Sequence, residues 1–275
     1  MNASEGARRI RPLAFRIVLF ASLAVVLSFL TLPIVAIFVN AGPGELLSSL
    51  GDPAAREALW LSLRTTLIAL AIIVVFGTPA AYLLATREFR GKNAVTTLVE
   101  LPLVLPPAVA GIGLLAAFGP EGIFGEALDD AGLELALQTA GVVVALTFVA
   151  APFYIRQAQA SFAATDPSLV DAARTLGASE ARAFVRVAIP CAGADISAGL
   201  ALAWGRALGE FGATLMFAGS FQGITETVPL AIFSTFSRDF TAALALSAVL
   251  VAVSAALLLS VKLLARTPIL AGPQA

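Results

Sequence analysis

The sequence predicts an all-α integral membrane protein with about six spanning helices, and three observations carry that prediction. Of its 275 residues, 59% are hydrophobic and only 13% are charged, against ~45–50% and ~25% in an ordinary soluble domain. The apolar residues fall in long blocks, each close to the ~20 residues that a hydrocarbon core of ~30 Å requires of a helix. The basic residues between the blocks collect in alternate connections, as they do where one side of the bilayer is cytoplasmic.

The first block, about Phe15–Val39, follows Arg8, Arg9, Arg11 and Arg16, as a secretory signal would. Its apolar run from Ile17 is about twice a typical h-region, and no small-residue cleavage site follows cleanly, so a retained span is expected. The second block is about Leu59–Leu84. The third, about Val95–Phe118, contains Pro102, Pro106 and Pro107, which remove helical hydrogen bonds and kink the helix. The fourth is about Leu137–Ile155, the fifth about Ile196–Ala218 and the sixth about Thr241–Leu264. Irregular backbone is not tolerated against lipid, so each block is read as a helix. Strand alternation of the barrel type is absent.

Charge sets the orientation. Arg87, Arg90 and Lys92 follow the second block, Arg156, Arg174, Arg182 and Arg186 the fourth, and Lys262 and Arg266 the sixth. With the N-terminal arginines they lie on one side if there are six spans. The opposite connections hold little more than Arg56 and Arg238, and the one after the third block is acidic, with Glu121, Glu126, Asp129, Asp130 and Glu134. Both termini are therefore expected in the cytoplasm. An N-terminal tail and first helix at 1–40, a spanning domain at 56–264 and a short cytoplasmic tail at 265–275 account for nearly the whole chain.

The long connection Arg156–Pro190 reads as structured. Asp166-Pro167-Ser168 is a helix start, with Asp as N-cap and Pro at the first helical position. Leu169, Val170, Ala173 and Leu176 then mark one face, and Gly177 is placed as the C′ residue. A second amphipathic stretch sets Ala181, Phe184, Val185, Ala188 and Ile189 against Glu180, Arg182 and Arg186, and Pro190 is expected to close it. The pattern fits either a projecting helix-turn-helix or an amphipathic helix lying on the membrane surface.

Asp171-Ala172-Ala173, three residues, Gly177, nine residues, then Val187 and Ile189-Pro190 resembles the EAA loop of ABC importer permeases. Asp171 stands for the family's Glu and Ile189 for its Leu. The family uses this loop as a coupling helix docked in a separate ATPase. Small residues at Ala172 and Ala173 allow close approach, and Gly177 permits the sharp turn. The run Arg206-Ala207-Leu208-Gly209-Glu210-Phe211-Gly212-Ala213-Thr214 and the segment Leu101–Pro107 look like the molybdate-type permeases. Sulfate and thiosulfate permeases share parts of both.

The resemblance covers about residues 56–264. It implies a type I importer permease in the cell membrane that moves molybdate or tungstate inward, with a sulfate or thiosulfate permease as the alternative. It further implies a second copy of the chain, two cytoplasmic ATP-binding subunits carrying ATP and Mg, and an extracytoplasmic oxyanion-binding protein. Asp171, Ala172, Ala173, Gly177 and Pro190 would couple to the ATPase. Arg206, Gly209, Glu210, Thr214, Pro106 and Pro107 would line or gate the pathway.

Arg206 and Glu210 are ionisable residues inside a span, each costing ~2.5–3.5 kcal/mol when placed centrally. Four apart, they share a helix face and can pair. The stripe Gly199, Ala203, Arg206, Glu210, Thr214 and its neighbour Ala201, Gly205, Gly209, Ala213 should face protein or water. Two roles stay open for the pair, attraction of a dianion or a lock between helices. Two stay open for the prolines and for Gly111 and Gly113, a static bend or a gate formed with the fifth span.

Other classes find little support. The chain has no histidine and one cysteine, Cys191, which excludes His or Cys metal clusters, a disulfide framework and histidine acid–base chemistry. Its net charge of −1 points to no nucleic-acid partner. Gly-xxxx-Gly-Lys-Ser/Thr does not occur, so the chain is not expected to hydrolyse ATP by that mechanism; no catalytic residue, metal or cofactor is expected in it. A stand-alone secondary transporter would show internal repeats and titrating carboxylates in its spans, and no convincing repeat is visible.

Overall fold

The structure, a computed structural model, describes residues 3–265; the tail expected at 265–275 lies outside them from residue 266 on. All regular structure among these residues is helical. In chain order the helices are α1 (Ala3–Asn40), α2 (Pro43–Gly51), α3 (Pro53–Thr86), α4 (Lys92–Val104), α5 (Pro107–Phe118), α6 (Gly125–Asp130) and α7 (Thr139–Ala164). They continue with α8 (Pro167–Thr175), α9 (Glu180–Ala183), a π-helical turn (Phe184–Ala188), α10 (Ile189–Cys191), α11 (Gly193–Leu208), α12 (Gly212–Ala218), α13 (Val228–Phe236) and α14 (Phe240–Ala265).

Among the described residues, four helical stretches are individually long and apolar enough to cross a bilayer: Phe15–Asn40 of α1, α3, α7, and Phe240–Val261 of α14. Two further crossings arise if each bent pair counts as one span, α4 with α5 and Glu180–Cys191 with α11. Four of the six expected spans are thus continuous helices, and the expectations for the third and the fifth need correcting.

The third span is not one kinked helix: α4 and α5 are bent by 118°. A residue that precedes proline is pushed out of the α region, and here this happens twice in succession. Leu105 (φ −70, ψ 132) precedes Pro106, and Pro106 (φ −55, ψ 134) precedes Pro107. Pro102, preceded by no such partner, stays inside α4. The fifth span is not continuous from Ile196 to Ala218 either. It stops at Leu208 and restarts at Gly212, with Gly209, Glu210 and Phe211 between.

The core is built on α7. Gly77 of α3 makes room for the Tyr154 ring, whose Cδ1 would lie 3.2 Å from a Cβ there. The Tyr154 and Thr78 hydroxyls are hydrogen-bonded at 2.6 Å. Gly199 of α11 also packs on α7, with Gln157 Cβ 2.9 Å from where its own Cβ would be. In a bilayer lipid is as apolar as a side chain, so close packing of small residues and interhelical hydrogen bonds hold helices together. Trp204 Nε1 donates to Thr66 Oγ1 at 3.3 Å, joining α11 to α3, and Ser62 Oγ of α3 accepts the first α13 N–H, Val228, at 2.8 Å. Arg156 and Glu100, paired at 2.6 Å, join α7 to α4. By contrast, the apolar window of α1 has none of its residues buried.

Replacing Gly77 with Leu should displace the Tyr154 ring and cost about 1–3 kcal/mol, as overpacking does in other cores. Thermal unfolding in detergent should show a lowered midpoint, whereas Gly77→Ala should be milder.

Candidate coupling helix and transmembrane gate

In the connection between α7 and α11, α8 has the boundaries its sequence predicts. The Asp166 carboxylate accepts Ser168 N–H at 2.9 Å, with Pro167 in the first turn. That bond holds the Asp166 carboxyl below the usual carboxylate range. At the other end, Ala178 N–H reaches Ala173 O at 3.0 Å and Gly177 N–H reaches Arg174 O at 2.9 Å. This is the Schellman pattern, with the left-handed residue at C′. Gly177 has φ +89 and open space around it, so backbone conformation and not crowding calls for glycine.

The expected single apolar face of α8 divides in two. Val170 is buried and Ala173 half-buried, whereas Leu169, Ala172 and Leu176 are exposed, Leu176 to 89%. Asp171 is exposed and pairs with Arg174 at 3.3 Å. Arg174 also reaches Glu180 at 3.4 Å, and Glu180 takes Arg87 from the end of α3 at 2.9 Å. Exposed pairs contribute little stability singly; together they hold α8 in register with α3.

Pro190 does not close the second amphipathic stretch. The chain stays helical to Cys191 and turns at Ala192, where the axis bends by 76° into α11. A proline inside a helix lacks an N–H and crowds the preceding turn. Here the turn before it is widened to a π-turn, with Ile189 N–H bonded to Phe184 O. The widening shifts the inward face, so Ala183 and Ala188 are buried and Val187 half-buried, while Ala181 and Val185 are exposed. Phe184 packs against Tyr82 of α3 (ring centroids 4.7 Å) and Phe162 of α7 (6.2 Å). A cavity of about 370 Å³ lies between these span ends and α8, lined by Tyr82, Phe162, Val170, Asp171, Arg174 and Ala188 among others.

The breaks in the third and fifth spans meet. A Cβ on Gly212 would lie 2.8 Å from Pro107 Cβ and 3.2 Å from Ala108 N. One turn on, a Cβ on Gly111 would lie 2.7 Å from Ala213 O. The starts of α5 and α12 are thus packed side by side, and Pro106, Pro107 and Gly209 are exposed there. The close approaches along the fifth span fall at Gly199 and Gly212. They do not fall at Gly205 and Gly209, where a Cβ would meet its nearest atom at 3.9 and 3.6 Å.

Arg206 Nη2 and Glu210 Oε2 are paired at 2.5 Å. They do not share one helix face, because Glu210 lies beyond the end of α11. Its other oxygen, Oε1, accepts Ala213 N–H at 2.7 Å and so caps α12. Glu210 is 1% exposed and Thr214 fully buried, so neither faces an open path in this conformation; the Arg206 side chain is 27% exposed. The Thr214 hydroxyl has no partner among the described residues.

Sequence reasoning missed the cap formed by Glu210, although an acidic residue flanked by Gly209 and Gly212 signals one. It missed the Tyr82–Phe162–Phe184 cluster, which has no local pattern. It also passed over Arg64, which lies within the second apolar block and is exposed on α3.

Residues 77–267 match the family described as binding-protein-dependent transport system inner membrane component. The chain belongs to this family. It is a multi-pass membrane protein and a permease component of an ABC transporter. It is 40% identical over 241 residues to the molybdenum transport system permease protein ModB of Mycobacterium tuberculosis, covering 88% of this chain and 90% of that one. It is 39% identical over 207 residues to the molybdate/tungstate transport system permease protein WtpB of Thermococcus kodakarensis, covering 74% and 78%. The sulfate transport system permease protein CysT of Escherichia coli is 32% identical over 262 residues, covering 94% of each. Among solved structures, a bacterial alginate ABC transporter in complex with its alginate-bound periplasmic protein has a chain that superposes with TM-score 0.73 at 18% identity, covering 93% and 95%. The MetNI methionine ABC transporter gives 0.60 at 19%, covering 76% and 93%. The fold is that of the type I ABC importer permeases.

Gly177→Ala should strain the end of α8 by about 1–2 kcal/mol, the cost of a left-handed residue with a side chain. Its expected signature is earlier proteolysis between α8 and α9, with the spans still folded.

Proposed function

We propose that the chain is the membrane subunit of an importer for molybdate or tungstate, acting as a homodimer with two cytoplasmic ATP-binding subunits and an extracytoplasmic oxyanion-binding protein. ATP and Mg would reside on the partner subunits, since the chain has no Gly-xxxx-Gly-Lys-Ser/Thr loop of its own. The observation that carries the reading is the 39–40% identity to permeases named for molybdenum and for molybdate/tungstate. Sulfate is the second reading, favoured by the full-length similarity to CysT. The charge asymmetry of the connections supports cytoplasmic termini in the cell membrane.

The exposed apolar edge Leu169, Ala172 and Leu176 is the surface that would enter a groove of the ATPase. Asp171, Ala173, Gly177 and Pro190 set its position. Motion of this helix would reach the spans through Phe184, Tyr82 and Phe162. The gate would be the paired breaks, with Pro106 and Pro107 on one side, Gly209 and Glu210 on the other, Arg206 at the end of α11 and Thr214 packed behind. The permease domain is taken as residues 56–264, with residues 1–40 as an N-terminal tail and first helix.

Vesicles holding this chain, its ATPase and a loaded binding protein should accumulate labelled molybdate or tungstate only when ATP is supplied. Accumulation without ATP, or of none of molybdate, tungstate and sulfate, overturns the reading. In a Cys191→Ser background, cysteines in place of Ala108 and Gly212 should form a link that blocks uptake, and uptake should return on reduction, which crowding of Pro107 by the new side chain would not allow. Unchanged uptake with the link closed would show that the two breaks do not gate.

A further inference from the structure

The Arg206–Glu210 pair is asymmetric in a way that bears on anions. Glu210 is enclosed, and each of its oxygens has a partner, Arg206 on one and Ala213 N–H on the other. Arg206 keeps an open side, with 27% of its side chain exposed. A guanidinium carries five N–H donors, and Glu210 is its one hydrogen-bond or ion-pair partner among the described residues. The neighbouring Gly209 is exposed and brings no side chain to cover it. The cation stands at the end of α11, where the fifth span breaks beside the break in the third.

We propose that Arg206 contacts the oxyanion directly during passage by exchanging it for Glu210, and that the bond from Ala213 to Glu210 makes this exchange possible. The proposal rests on the import reading above and names the contact within that gate. A buried carboxylate stripped of its only partner is strongly disfavoured. Glu210 is not stripped, because the Ala213 N–H still holds it when Arg206 turns away. A guanidinium fork matches an oxyanion as well as it matches a carboxylate. At rest the pair is neutral, so it offers a dianion a competed site and not a trap, as passage requires.

The test is equilibrium dialysis of labelled molybdate, without binding protein, against the detergent-purified complex of this chain with its ATPase, with sulfate in a parallel arm. Glu210→Gln keeps an oxygen for the Ala213 N–H and removes the competing charge. It should tighten molybdate binding about tenfold or more, the effect of freeing one charged hydrogen bond. Arg206→Gln combined with Glu210→Gln leaves no stranded charge and should abolish the binding. A pair that only locks helices predicts equal binding in the single and double variants, and that result overturns the proposal, as does wild-type binding by the double variant. If the double variant fails to assemble, Arg206→Lys decides. It keeps the pair's charges but loses the fork, and should weaken binding severalfold; unchanged binding overturns the proposal. Loss of ATP-driven uptake of all three anions by the wild-type complex would instead remove the import reading itself.

Discussion

Helix ends inside a bilayer leave N–H and C=O groups with no water to accept them, each costing several kcal/mol unless protein supplies a partner. Both interrupted spans of this permease are organised around that constraint. At the break in the third span, two successive prolines bring no N–H at all, and Ala110 N–H already returns to Pro106 O at 3.0 Å. In the fifth span, Gly209 N–H bonds Gly205 O, Glu210 N–H bonds Ala207 O, and Ala213 N–H is taken by the Glu210 side chain. Breaks that would be untenable against lipid are tolerable because part of the freed backbone finds acceptors within each break and because the two breaks are packed against one another.

From that arrangement follows a continuous physical path from the loop to the breaks. Phe184 of the π-turn touches α3 and α7 through Tyr82 and Phe162. The N-terminal part of α7 meets α12, where a Cβ on Gly141 would lie 3.4 Å from the Phe217 ring. Close-packed interfaces of this kind pass displacement along instead of absorbing it. The ion pairs Arg87–Glu180 and Arg174–Glu180 contribute orientation more than energy, since both are exposed.

Much of this was legible in the sequence wherever one short rule decides the outcome. The apolar blocks marked the continuous spans, Asp166-Pro167 and Gly177 marked both ends of α8, and the Arg206 and Glu210 pair was visible as two charges in an apolar block. Features that depend on two segments at once were not legible. The 118° bend needs the geometry of both prolines together, and the interruption at Gly209 shows only when Gly212 is seen lodged against Pro107. Pro190 reads as a stop until the π-turn that accommodates it is known. The two faces of α8 emerge only once the span ends are in place, because spacing alone gives the apolar residues without saying which of them are covered.

The first helix touches this bundle chiefly through α14. Its apolar window has a mean hydropathy of 2.6 and none of its residues buried, so most of its surface is left for lipid or for a partner chain. A segment of that kind has no need to wait for a tertiary partner. During synthesis α1 can leave the translocon and settle in the membrane as an independent anchor. Its neighbour α14 is the last of the described helices to be made, so α1 has to persist in the membrane without it while the interrupted spans are synthesised.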